Sequence, residues 1–206
     1  MIEAKHVLWF QYMFSVYLSY SLKLHFRKID IIGDVKDRDM PFLVISNHIS
    51  WWDGFWILNM NNKTFKRKFY VMMLEEQLKQ NMFLRKLGAF SINKKSKTLF
   101  DSLEYASKLL KNKSNMLLFF AQGSIQSQHK RQFVFEKGLD RILKEVDNNI
   151  QVLFVANLLD YYSFKKPALN QFLYSPEKTT GFSIQELEEH YNDFYKDSIN
   201  KQIAAL

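Results

Sequence analysis

Residues 42–56, FLVISNHISWWDGFW, hold the change of pattern from which the rest of the chain can be read. Phe42 to Ser46 form a short run of apolar and branched side chains, the composition of a buried strand. The run stops at a polar cluster of Ser46, Asn47, His48, Ser50 and Asp53, and a tryptophan-rich helical stretch follows. Strand, polar turn and helix in that order build α/β domains, in which sites gather where strands end and helices begin.

The same alternation runs outward from this block. Short apolar runs at 28–32, 68–73, 89–92, 115–120, 151–157 and 171–175 predict further strands. Between them Leu99, Leu103, Ala106 and Leu110 recur at helical spacing, as do Leu139, Ile142, Leu143 and Val146. Ser183 and Glu186 form a capping box that opens a last helix with Ile184, Leu187, Tyr191 and Phe194 on one side. Strands interleaved with helices predict an α/β fold: a mixed, mostly parallel central sheet flanked by helices. A length of 206 residues fits one domain, and neither a repeat nor a Gly/Pro/Ser-rich linker divides it.

Hydrophobic residues at 47% against 24% charged allow a buried core and exclude a disordered chain. With Cys at 0 there is no disulfide, no thiolate nucleophile and no zinc finger. The histidines at 6, 25, 48, 129 and 190 lack paired-ligand spacing, so no metal and no cofactor is expected. Aromatics at 16% and a net charge of +8 suit an anionic membrane, a nucleic acid or an acidic soluble partner. No helix-turn-helix, RNP or zinc pattern accompanies the charge, so no nucleic acid is expected as partner.

The first 25 residues stand apart. Val7 to Leu22, VLWFQYMFSVYLSYSL, carries no charge over 16 residues, short of the roughly 20 that span a bilayer. No basic start and small-residue cleavage site marks a signal peptide. Trp9, Phe10, Tyr12, Tyr17 and Tyr20 favour the boundary between water and lipid. Residues 1–25 therefore read as an amphipathic, membrane-associated interfacial helix ahead of a domain at 26–206. The competing reading packs that helix on the domain's own core.

Histidine is suited to general-base work near neutral pH, and a carboxylate on its far ring nitrogen fixes the tautomer. His48 and Asp53 are five apart, about 140° around an ideal helix, so they cannot share a helix face. They can meet if His48 lies in the turn before the helix and Asp53 in its first turn. Ser50 with Asp53 is also a capping-box pattern, which would give the aspartate a purely structural task. Trp52 and Trp56 fall on one helix face, either to line a groove, to sit at a membrane interface or to pack in the core.

NHISWWD resembles the N-H-x-x-x-x-D block of the glycerolipid acyltransferases, the family of glycerol-3-phosphate and lysophosphatidic acid acyltransferases. LGAFSINKK (87–95), LLFFAQGSIQS (117–127), FEKGLDRIL (135–143) and QVLFVAN (151–157) are similar to the family's later blocks, in the right order. The resemblance implies acyl transfer from a thioester, on coenzyme A or acyl carrier protein, to a lyso-lipid hydroxyl. The default acceptor is 1-acyl-glycerol-3-phosphate, and the setting is phospholipid biosynthesis. His48 would take the hydroxyl proton and Asp53 would orient it. Asn47, Lys94, Gln122, Gly123 and Ser124 would bind substrate, with backbone N–H groups near Gly123 meeting the oxyanion. Membrane lipids are the expected partners, and the expected location is peripheral or monotopic on the cytoplasmic face of the cell membrane.

The third block departs from its usual F-P-E-G-T-R-S. Glu is Gln122, Pro is Ala121, Thr is Ser124 and Arg is Ile125. Losing carboxylate and guanidinium together implies a remodelled acceptor pocket, so a lyso-aminolipid or glycolipid hydroxyl is the alternative acceptor. A non-catalytic lipid-binding relative is the further rival. Lys94, Lys95, Lys97, His129, Lys130 and Arg131 are candidates to replace the missing positive charge. The basic stretch 63–68, KTFKRK, would meet anionic lipid or an acidic carrier, or lie as a solvated loop.

Overall fold

The structure is a computed structural model and describes residues 1–93, 98–146, 150–178, 181 and 183–204. Seven strands form one sheet: β1 Lys28–Ile32, β2 Phe42–Ser46, β3 Lys68–Leu74, β4 Ala89–Ile92, β5 Asn115–Phe119, β6 Gln151–Asp160 and β7 Ala168–Tyr174. Their spatial order is β1-β7-β6-β2-β5-β3-β4, with every pairing parallel except β6 with β7. The mixed, mostly parallel α/β sheet read from the sequence is what forms. The antiparallel pair follows from its connection: β6 and β7 are joined by the hairpin loop 161–167, and a short loop can only reverse the chain. β6 runs three residues past the apolar segment that announced it, and β7 starts three residues before its own.

β2 sits at the centre, parallel to β5 on one side and β6 on the other, and all five of its residues are buried. Successive side chains of a strand point to opposite faces. Leu43 and Ile45 accordingly enter one core with α4 (Leu99–Leu109), α5 (Gly138–Glu145) and α6 (Ile184–Ala204). Phe42 and Val44 enter the other, with α1 (Leu8–His25), α2 (Asp53–Lys63) and α3 (Glu75–Gln80). α6 begins at the expected box: Glu186 N–H donates to Ser183 Oγ at 3.1 Å, and Ser183 N–H to Glu186 Oε2 at 2.9 Å. Neither α3 nor the 3-10 helix Met82–Leu87 had a counterpart in the sequence reading.

α1 crosses the sheet from edge to edge. Residues before it are tied to the β4 side: Ser91 N–H donates to the Ile2 carbonyl at 2.8 Å, and Lys5 N–H to the Arg85 carbonyl at 3.0 Å. The chain leaving α1 enters β1, the opposite edge strand. A helix of 18 residues is about 27 Å long, close to the ~29 Å across seven strands. Leu18, Ser21 and Leu22 are buried, and Phe14 packs on Phe55 of α2 with ring centroids 5.4 Å apart. The outward face is apolar too: Leu8, Trp9, Tyr12, Met13, Val16, Tyr17, Tyr20 and Leu24 are 51–82% exposed. Both faces of this helix are thus apolar, and the outward one mixes aromatic with aliphatic side chains, so the amphipathic pattern expected for it is not what forms. No helix among the described residues is long and apolar enough to cross a membrane.

Candidate active site

His48 stands in the loop between β2 and α2, and Asp53 is the first residue of α2. This placement lets the two side chains meet although five residues separate them. His48 Nδ1 donates to Asp53 Oδ2 at 2.9 Å, with the two side chains 20% and 0% exposed. The same oxygen accepts the backbone N–H of Ile49 at 2.6 Å and of Ser50 at 2.9 Å. Half of the capping box is therefore present as well. Ser50 Oγ completes a different contact, accepting Trp52 N–H at 3.1 Å.

Asp53 Oδ1 is buried and meets no donor among the described residues. Burial pushes the Asp53 carboxyl above its ordinary range, and the bonds from His48, Ser50 and Ile49 pull the other way. The imidazole lies flat against Phe120, ring centroids 3.9 Å apart and planes 11° from parallel. Asp53 on one ring nitrogen and Phe120 on one ring face fix the His48 ring, with Nε2 at the end opposite Asp53.

Two buried amides fasten the backbone on either side of this histidine. Asn47 donates Nδ2–H to the Asn157 carbonyl at 2.9 Å and accepts Asn157 N–H on Oδ1 at 2.8 Å. Asn157 Oδ1 in turn accepts from Gln171 at 2.9 Å, which carries the ladder across β6 to β7. Gln122 accepts His48 N–H on Oε1 at 3.2 Å and donates from Nε2 to the His48 carbonyl at 3.0 Å and the Ser124 carbonyl at 3.2 Å. Asn47 and Gln122 were both read as substrate-binding residues. Their side-chain amides are turned to the backbone of the protein itself.

His48 lines a cavity of about 580 Å³, within the range of small-molecule sites. Phe55 and Leu58 of α2, Val71 and Met72 of β3, Leu84 and Leu103 make its wall predominantly apolar. Gly123, Ser124, Ile125, Glu136 and Lys137 form a polar-bordered stretch near the histidine. Gly123 has φ +69, and a Cβ there would lie 2.5 Å from Glu136 Oε1. Its N–H donates to the Phe120 carbonyl at 2.9 Å, closing the turn after β5.

The other sequence candidates scatter. Lys94, Lys95 and Lys97 lie outside the described residues. His129 and Arg131 border a separate hollow of about 200 Å³ with Asp160 and Ile199. The stretch 63–68 leads into the amino end of β3, opposite the end that carries His48, and Arg67 there is paired with Asp37 at 2.5 Å. Of the tryptophans, Trp51 lines the cavity, Trp52 is exposed and Trp56 is buried against Phe26. Trp52 and Trp56 do not share an environment, although Trp52 caps α2 in helical conformation and its carbonyl accepts the Trp56 N–H at 3.1 Å. Glu136 and Lys137 were missed as wall residues, although the segment containing them had been singled out.

A family model described as Acyltransferase matches residues 28–156, a span that contains the first four of the five sequence blocks and nearly all of the last. Among solved structures, the fold is similar to that of the 1-acyl-sn-glycerophosphate (LPA) acyltransferase PlsC from Thermotoga maritima. The TM-score is 0.67 and the identity 19%, over 94% of this chain and 80% of that one. No curated protein matches the chain significantly.

Proposed function

Because the chain belongs to the Acyltransferase family, we propose that it moves a fatty acyl group from a thioester to a hydroxyl of a lyso-lipid at a membrane surface. The observation that carries this is the Asp53-held His48 imidazole on the wall of a predominantly apolar cavity. His48 Nε2 takes the acceptor's hydroxyl proton as that oxygen attacks the thioester carbonyl carbon. The tetrahedral intermediate then collapses, the C–S bond breaks, and the imidazolium returns the proton to the leaving sulfur. Asp53 holds the tautomer and stabilises the transient positive charge. The cavity takes the acyl chain, with each buried methylene worth about 0.8 kcal/mol. The N–H groups of Ser124 and Ile125, on the cavity wall, are assigned to the oxyanion in place of the engaged Gly123 N–H.

The acyl donor is proposed to be coenzyme A- or acyl carrier protein-linked, and the seat of the protein a cytoplasmic membrane face. The outward aromatic face of α1 supports that seat, since tyrosine and tryptophan settle at the headgroup level. Phe14, Phe55 and Trp51 form an unbroken run of ring contacts from α1 to the cavity wall. For the acceptor, 1-acyl-glycerol-3-phosphate is the default, with Lys137 on the wall to meet a phosphate. Ile125, half exposed on the same wall, favours the uncharged or amino headgroup as second reading. Purified protein with a thioester donor and a panel of lyso-lipids, followed by lipid mass spectrometry, tests both. Product formed by the wild type and lost in His48→Ala supports transferase action. Lipid binding without product from any donor would leave only a lipid-binding relative.

A further inference from the structure

The loop 161–167 rises from the end of the sheet that carries His48. Val155 of β6 is level with Ser46 of β2, and β6 continues to Asp160 before the loop begins. Its sequence, YYSFKKP, holds three aromatics and two lysines. Tyr161, Tyr162 and Phe164 are 58%, 37% and 44% exposed, and Lys165 and Lys166 are exposed as well.

This loop is shaped by its own bonds. Phe164 N–H donates to the Tyr161 carbonyl at 2.9 Å, and Arg27 N–H to the Pro167 carbonyl at 2.9 Å. The Arg27 guanidinium carbon lies 3.3 Å from the centroid of the Phe164 ring. Tyr162 has φ +46, where turn chemistry favours glycine or asparagine. The turn alone gives no reason for a bulky ring at that tip. Arg27 closely follows α1, so the loop stands beside the end of that helix, where Leu24 is exposed.

Exposed rings followed directly by cationic side chains match the boundary of an anionic bilayer. Tyrosine and phenylalanine enter the headgroup region while the ammonium groups meet lipid phosphates. We propose that the 161–167 hairpin is a second lipid contact, which with α1 seats the domain on an anionic phospholipid surface. It rests on the membrane reading of α1 and adds a site in a different part of the fold.

Vesicle co-sedimentation tests it, with phosphatidylcholine alone and with phosphatidylcholine containing phosphatidylglycerol. Lys165→Gln/Lys166→Gln should bind the anionic vesicles about 30-fold more weakly and the neutral ones as wild type does. Tyr161→Ser/Tyr162→Ser, which leaves the Arg27–Phe164 contact in place, should bind both more weakly. Thermal unfolding and turnover of detergent-solubilised substrates should stay at wild-type level in both variants. Wild type that binds neither vesicle would overturn the membrane reading itself. Wild type that binds while both variants bind equally well would overturn only the loop's part. A wild-type dimer that either variant dissociates would reassign the loop to self-association.

Discussion

The side-chain amide of Gln122 pairs with both backbone polar groups of His48, accepting its N–H at 3.2 Å and donating to its carbonyl at 3.0 Å. A carboxylate keeps the first bond and loses the second. It would also place its charge against the carbonyls of His48 and Ser124 in a buried setting. Gln122→Glu, which restores the residue usual in the resembling block, should therefore lower kcat. It should cost about 1–3 kcal/mol of stability, the penalty of an unsatisfied buried polar group. Urea denaturation beside steady-state kinetics measures both, and unchanged stability with higher kcat would contradict the clamp.

His48→Ala should reduce kcat by about 10²–10⁴, the usual contribution of a positioned general base, with KM for the thioester little changed. The imidazole is partly exposed and stacks on Phe120, so the fold should survive its removal. Retained turnover in a folded variant would remove the residue from the mechanism.

Asp53→Asn leaves the side-chain volume intact but presents an amide to His48 Nδ1. Activity should fall about 10⁴-fold, as for a triad aspartate. Stability carries a second signature. Burial raises the Asp53 pKa above 3.8, so the native state holds the proton more tightly than the unfolded chain does. That contribution is full below about pH 4 and declines as the pH rises through the raised native value. The asparagine variant lacks the decline, so wild type should lose ground to it across this window. Parallel denaturation curves over a pH series read the difference, and a constant gap would refute it.

Gly123→Ala forces a left-handed backbone on a residue with a Cβ, at roughly 1–2 kcal/mol. It also drives the methyl into Glu136, 2.5 Å from Oε1 and 2.7 Å from Cγ. Glu136→Ala in the same chain should recover the steric part and not the backbone part. Calorimetry of the two single variants and the double variant separates the two.

Ala89 is a small buried residue on the cavity wall. Ala89→Leu should fill space meant for the acyl chain. Long-chain donors should lose about fourfold in kcat/KM for each methylene excluded, while short-chain donors are spared. A parallel drop across all chain lengths would show that the cavity does not hold the chain.

The elements were legible where periodicity was unambiguous. The bounds of β1, β2 and β4 coincide with their apolar runs, which stop at Gly33, Asn47 and Asn93. The His48–Asp53 meeting was legible too, as the placement in turn and first helical turn that would bring the two side chains together. The cavity was not, because its wall draws on α2, β3, β4, α4 and the segments around 84, 123 and 136, which only the sheet order brings together. Asn47 and Gln122 show a different limit. Residue type tells that an amide can bond in two directions, while the partner depends on which backbone groups the fold leaves beside it.

α1 is fastened ahead of its first turn to the strip beside β4 and beyond its last turn to the far margin of the sheet. A rod tethered at both tips has no hinge. It cannot swing away to sample lipid while the remainder stays in solvent, so any encounter with a bilayer tilts the entire body at once. Capture of a substrate by such a molecule is governed by how it lands.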